Sequence, residues 1–231
     1  MDLPTNYHPC WLMAYLLIVP PSHPFKEKGM KLYLIFINAW VAVVYYHIYC
    51  DPRSYSNALA LFWGIMCLFW IYDLIVDYTP FELNHKHQKL AVLLCFLPLA
   101  YPLFSAARGM HFPMMTSPVM PCSVAVFTIG LLLAFSRRVN LFLILFLCHW
   151  ALIGFTKTYF FQIPEDFLLA SSAVPGLYLF FKEYIAANLH TATHLKARLI
   201  NITLLVACGA ISLLFMISMV CELAQDGDLS K

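Results

Sequence analysis

Charge is the scarcest commodity in this sequence. Asp, Glu, Lys and Arg make up 11% of its 231 residues, against about 25% in a soluble domain. That shortage excludes a globule wetted on all sides. The basic residues are scattered in short loop clusters, which excludes a nucleic-acid-binding patch. The eight cysteines (Cys10, Cys50, Cys67, Cys95, Cys122, Cys148, Cys208 and Cys221) form no CxxC pair, so neither a zinc ribbon nor a thioredoxin-type redox pair is expected. GxSxG, HExxH, a phosphate-cradling glycine loop and a dinucleotide fingerprint are all missing. Met1–Pro9 has no basic run and no small-residue cleavage site follows Leu12–Val19, so no cleavable signal peptide is expected.

What the chain has instead is apolar length. Hydrophobic residues reach 62% and the mean hydropathy is +0.76. Seven runs are long enough to cross a bilayer: Lys31–Cys50, Tyr55–Asp77, Gln88–Ala107, Pro118–Ser136, Asn140–Phe161, Asp166–Lys182 and Arg198–Cys221. The sixth is the weakest, being short and carrying Pro175. Lipid offers no partner to an unpaired backbone amide, so each run is expected to be helical. The fold class expected is all-α, a polytopic transmembrane helix bundle. Residues 1–30 form an N-terminal cytoplasmic or interfacial segment, 31–222 the bundle and 223–231 a polar tail. Cys10–Val19 is too short to span and is read as a short interfacial or re-entrant helix.

Charge bias sets the expected orientation. Lys26, Lys28, Lys31, Lys86, Lys89, Arg137, Arg138, Lys182, Lys196 and Arg198 fall on one side. Arg53, Arg108 and Lys231 fall on the other, with Lys157 inside the fifth span near them. Ten against four puts the N-terminus in the cytoplasm and, with seven spans, the C-terminus outside.

Ionisable groups at membrane depth are costly and mark functional positions by default. His47, Cys50, Asp51, Arg108, His111, Cys122, Lys157, Glu165 and Asp166 fall on the outer half, where they are expected to converge on one cleft. Lys157 either snorkels to the interface or pairs with Asp166 or Glu165. Asp166 serves equally well as a plain N-cap. His149 lies mid-span, where bonding within the bundle is the commoner fate. Asp73 is read as buried and paired, Asp77 as solvated. The connection from Arg108 to Cys122 carries Met110, His111, Met114, Met115 and Met120, soft ligands that suit Cu(I), although their spacing follows no fixed motif. His85 with His87, and His190 with His194, fall on the inner side, the second pair within a stretch from Tyr184 to Lys196 that is read as interfacial.

Six blocks of the chain resemble an uncharacterised family of bacterial multi-spanning membrane proteins. They are Trp40 with Tyr46 and His47; Tyr101 with Pro102; Gly109 to Pro113; Pro121 and Cys122 with Phe127 to Leu132; Trp150 to Gly154; and Glu165 to Leu169. Ser123, Val124 and Ala125 stand where that family carries Pro-Thr-Thr. The resemblance implies a bacterial inner membrane and brings no activity. Cys122, Arg137 with Arg138, and Trp150 to Gly154 are also similar, more faintly, to membrane acyltransferase-like proteins of the YwaF type. The histidine those proteins carry on the following helix has no counterpart in Asp166–Lys182.

Three functions fit these residues. The first is binding or transport of a small lipophilic or lipid ligand at the outer face, with Arg108, Lys157, Asp166, Asp51 and His149 as the binding residues. The second is a thiol-dependent acyl- or lipid-modifying enzyme with Cys122 as nucleophile and His111 or His47 as its base. The third is a partner-binding or structural subunit. Soft-metal (copper) binding or transport stays as a variant of the first. No cofactor and no resident metal are expected, and the expected partner is the lipid bilayer.

Overall fold

A computed structural model describes residues 24–50, 56–82, 87–109, 119–136, 138–160 and 166–186, with scattered residues between 199 and 221. The Cys10–Val19 segment, the 223–231 tail and much of the seventh expected span lie outside these residues. Every extended element among the described residues is helical. The chain divides into two compact units, Met1–Val139 and Asn140–Lys231.

Among the described residues the first unit contains four helices. α1 (Pro24–Trp40) runs on as a π-helical stretch, Val41–Tyr49. α2 covers Ser56–Val76, α3 Gln88–Ala107 and α4 Pro121–Phe135. Among the described residues, three stretches are long and apolar enough to cross a membrane: Glu27–Tyr49, Ser56–Val76 and Gln88–Ala107. At about 1.5 Å per residue the last two each match a hydrocarbon core of about 30 Å. Their outward faces are greasy. Leu32 and Phe36 on α1, Val43 on its π-helical continuation, Leu61, Leu68 and Ile75 on α2, and Leu93, Phe96 and Leu103 on α3 are all exposed, as a bilayer solvent requires.

α1 and α2 pack antiparallel. At one end Lys31 meets Asp73 and Asp77. Midway the Cys67 thiol donates to the Ile35 carbonyl at 3.5 Å. At the other end the Ser56 hydroxyl donates to the Tyr46 carbonyl. α3 and α4 form the second antiparallel pair. A Cβ on Gly130 would stand 2.7 Å from Leu94 Cβ and 2.9 Å from the Cys95 nitrogen, so only glycine lets the backbones approach this closely. α4 is apolar all round and is buried from Pro121 to Ala134, as such a helix must be. Its Phe127 ring meets Tyr33 of α1 edge-on at 6.2 Å. An isolated antiparallel bridge joins Phe81, after α2, to Ser136, after α4.

α3 keeps its helix through two internal prolines, Pro98 and Pro102. It ends at Gly109, whose φ of +78° suits a left-handed residue just past a helix.

The second unit holds α5 (Leu141–Phe160), α6 (Asp166–Ser171) and α7 (Ala173–Ile185). The sixth expected span is therefore two helices, and it runs three residues beyond Lys182. Its break falls at Ser172. Pro175 sits in the first turn of α7, where a missing amide costs nothing. Gly154 of α5 takes α6 against it: a Cβ there would meet the Ala170 nitrogen at 2.9 Å and the Asp166 carbonyl at 3.0 Å.

Candidate functional site

The first unit has two chemically distinct ends. One is an ion cluster built from helix periodicity. Glu27 and Lys31 are one turn apart on α1, and Asp73 and Asp77 one turn apart on α2, so each pair shares a face. The Lys31 ammonium is 0% exposed and the Asp73 carboxylate is 0% exposed. Lys31 Nζ lies 3.3 Å from Asp73 Oδ2, 3.6 Å from Glu27 Oε1 and 3.5 Å from the Asp73 carbonyl, and it also donates to Asp77 Oδ1. The other oxygen of Asp73 accepts from the Thr79 hydroxyl at 2.7 Å and the Thr79 amide at 3.2 Å. Glu27 accepts from the Phe81 amide at 3.3 Å, and Phe81 stacks on Trp70. Asp77 closes α2 with a φ of 56°, a left-handed turn that Asp tolerates better than most residues. The 77–81 turn thus ties α1, α2 and the end of α4 together.

The reading of Asp73 as buried and paired holds. Asp77 is solvated, as expected, but is paired as well. Lys31 was expected at the very end of the first span; α1 begins seven residues earlier, at Pro24, which draws Lys31 inside the helix pair. The i, i+4 spacing of both charge pairs was the signal in the sequence that pointed here.

The opposite end gathers sequence-predicted residues. His47 lies in the last turn of the π-helical stretch, and its Nδ1 lies 3.4 Å from Asn57 Oδ1 at the start of α2. Because Phe81 and Ser136 fix the end of α4 beside the ion cluster, its first turn lies at the His47 end. Cys122 is in that first turn, 8% exposed, behind Pro121 at the helix start. Arg108 caps the antiparallel α3 at the same end and is exposed. His47, Arg108 and Cys122 therefore share one end of one unit. Asp51 and His111 lie outside the described residues, as do Met110, Met114 and Met115. Among the described residues no group of three or more His, Cys, Asp or Glu side chains is placed to hold a metal ion.

The remaining candidates belong to the second unit. His149 is half-buried with Nδ1 2.8 Å from the Leu145 carbonyl, the bond within its own helix that a mid-span histidine commonly makes. Asp166 is buried at the first position of α6. The side chain of Lys157, and Glu165, lie outside the described residues.

A family model described as a family of unknown function, DUF6064, matches residues 10–191. The chain belongs to that family. No curated protein and no solved structure matches it. An uncharacterised family is what the sequence blocks implied; the fainter acyltransferase likeness gains nothing from these comparisons.

Proposed function

We propose that this DUF6064 member is a multi-pass protein of the bacterial inner membrane that binds a small lipophilic or lipid ligand at the outer ends of its helices. In this reading it has seven spans, a cytoplasmic N-terminus and an extracytoplasmic C-terminus. The observation that carries the proposal is the gathering of His47, Arg108 and Cys122 at one end of the first unit, away from the ion cluster. An exposed guanidinium beside apolar helix flanks suits a molecule with an anionic head and a greasy body, since Arg offers a fixed fork of donors to phosphate or carboxylate. Asp51 and His111, and in the second unit Lys157, Asp166 and His149, are the further ligand-binding candidates of this reading.

The test is photo-crosslinking in native-like vesicles. A diazirine phospholipid should label peptides around residues 101–108 and 119–126, and Arg108→Ala should cut that labelling several-fold with the Tm unchanged. Equal labelling of every lipid-facing helix, indifferent to Arg108, would refute a binding site there. Cys122 gives the second reading, a thiol enzyme, its specific support. It sits in the first turn of its helix, behind Pro121. Cys122→Ser separates the two: it abolishes acyl transfer and leaves crosslinking in place.

A further inference from the structure

We propose that the α3–α4 pair carries a docking surface for an anionic phospholipid at the ion-cluster end, with the headgroup on Lys89 and Arg138 and the acyl chains along α3. The starting point is an imbalance of charge. From Leu83 to Pro164 the sequence has no Asp and no Glu, while Lys86, Lys89, Arg108, Arg137, Arg138 and Lys157 all fall in that stretch. Both α3 and α4 lie within it. The helix packing then brings two of these cations to one level. Gly130 of α4 presses on Leu94 and Cys95 of the antiparallel α3. Following both helices from that contact to their ends sets Ser136 level with Gln88 and Lys89, so Arg138, just beyond α4, stands by the start of α3.

Lys89 and Arg138 are both exposed, and among the described residues neither has an ion-pair partner. The carboxylates at this end serve elsewhere: Glu27, Asp73 and Asp77 all hold Lys31, and the exposed Glu82 is paired with neither cation. Lys89 also lies in the first turn of α3, where a cation opposes the helix dipole and no acidic residue offsets it. From Lys89, Leu93, Phe96 and Leu103 follow at helical spacing on one face, and all three are exposed. A phospholipid has this same order, a phosphate followed by apolar chains. A zwitterionic lipid offers the same chains but brings its own cation, so two positive charges without carboxylates select the anionic class. Basic groups between helices at headgroup level recognise such lipids. The surface is separate from the outer-end ligand site, since Lys89 and Arg108 stand a helix length apart, about 30 Å.

The test uses the full chain in nanodiscs doped with phosphatidylglycerol or phosphatidylcholine carrying the same diazirine-labelled chain, and reads labelling of the peptide around residues 88–97 by mass spectrometry. Phosphatidylglycerol should label it at least about fivefold more, the weight of one cation beside an anionic headgroup. The excess should vanish in Lys89→Gln/Arg138→Gln with the Tm unchanged, and survive in Lys89→Arg/Arg138→Lys, which keeps both charges. In the native chain, molar salt should flatten the excess by screening these exposed charges, a readout that needs no variant to fold. Labelling around residues 101–108, read in the same digest, should not follow these substitutions, so the outer-end reading stands or falls separately. Equal labelling by the two lipids in the native chain, or an excess that persists in the Gln variant, would overturn the proposal. So would an excess abolished by inorganic phosphate at matched ionic strength, which would assign the cations to a free anion.

Discussion

Replacing Lys31 by methionine strands a carboxylate. The ammonium and Asp73 are both closed to solvent, and removing one partner of a buried pair costs about 3–5 kcal/mol. The two Thr79 donors remain on Asp73 Oδ1 and hydrogen bonds to a charged group contribute about 1.5–3 kcal/mol each, so the expected loss lies at the low end, about 3 kcal/mol. For a chain of this length that is a fall in Tm of about 6–12 °C. Neutralising both partners in Lys31→Met/Asp73→Asn removes the stranded charge and should return the protein to within about 1 kcal/mol of the native value, since a well-packed neutral replacement of a buried pair is often harmless. Thermal unfolding in detergent, followed by tryptophan emission, suits the question because Trp70 is fully buried and stacks on Phe81 in the same turn. A double variant as unstable as the single one, or a single variant as stable as the native chain, would refute the reasoning.

Glycine substitutions test the helix packing. Gly130→Ala should cost about 1–3 kcal/mol by overpacking against the α3 backbone, whereas Gly64→Ala, with nothing within 4 Å of the new methyl, should be neutral or gain up to about 1 kcal/mol of helix propensity; thermal scans of the two variants side by side decide it. Gly154→Ala should destabilise the second unit for the same reason as Gly130→Ala, seen as earlier proteolysis within 140–186. Arg108→Ala, an exposed position, should move stability by no more than about 0.5 kcal/mol, so any loss of lipid crosslinking reports binding alone. Cys122→Ser should likewise fold, and a thiol-reactive probe should then fail to mark the α4 peptide.

The helices were legible because apolar length speaks plainly in a membrane chain. Gln88–Ala107 was read with both ends in place, and Tyr55–Asp77 within one residue at each end. What the sequence could not supply was partnership across helices. Lys31 looked like the outermost residue of the first span because the stretch before it is polar, and only the packing of α1 on α2 makes it a core residue. Ser172 gave no sign of breaking the sixth run, since a serine in mid-helix is unremarkable until its neighbours demand a turn. The sharing of one end by His47, Arg108 and Cys122 followed from alternation of spans, yet it needed the Phe81–Ser136 bridge to fix which way α4 runs.

Pro98 and Pro102 sit one turn apart on α3, and each removes a rung from the helix ladder: the carbonyls of Leu94 and Pro98 lose their amide partners. The missing rungs begin where Gly130 presses on Leu94 and Cys95. The helix is thus clamped at one point and softened immediately beyond it, which makes a fulcrum with a compliant arm. Arg108 is at the tip, about 15 Å from Pro98 at the usual rise per residue. Each degree of bend at the prolines carries the guanidinium base by about a quarter of an ångström, so a kink of the ordinary size that proline produces, above about 20°, would sweep it through roughly 5 Å.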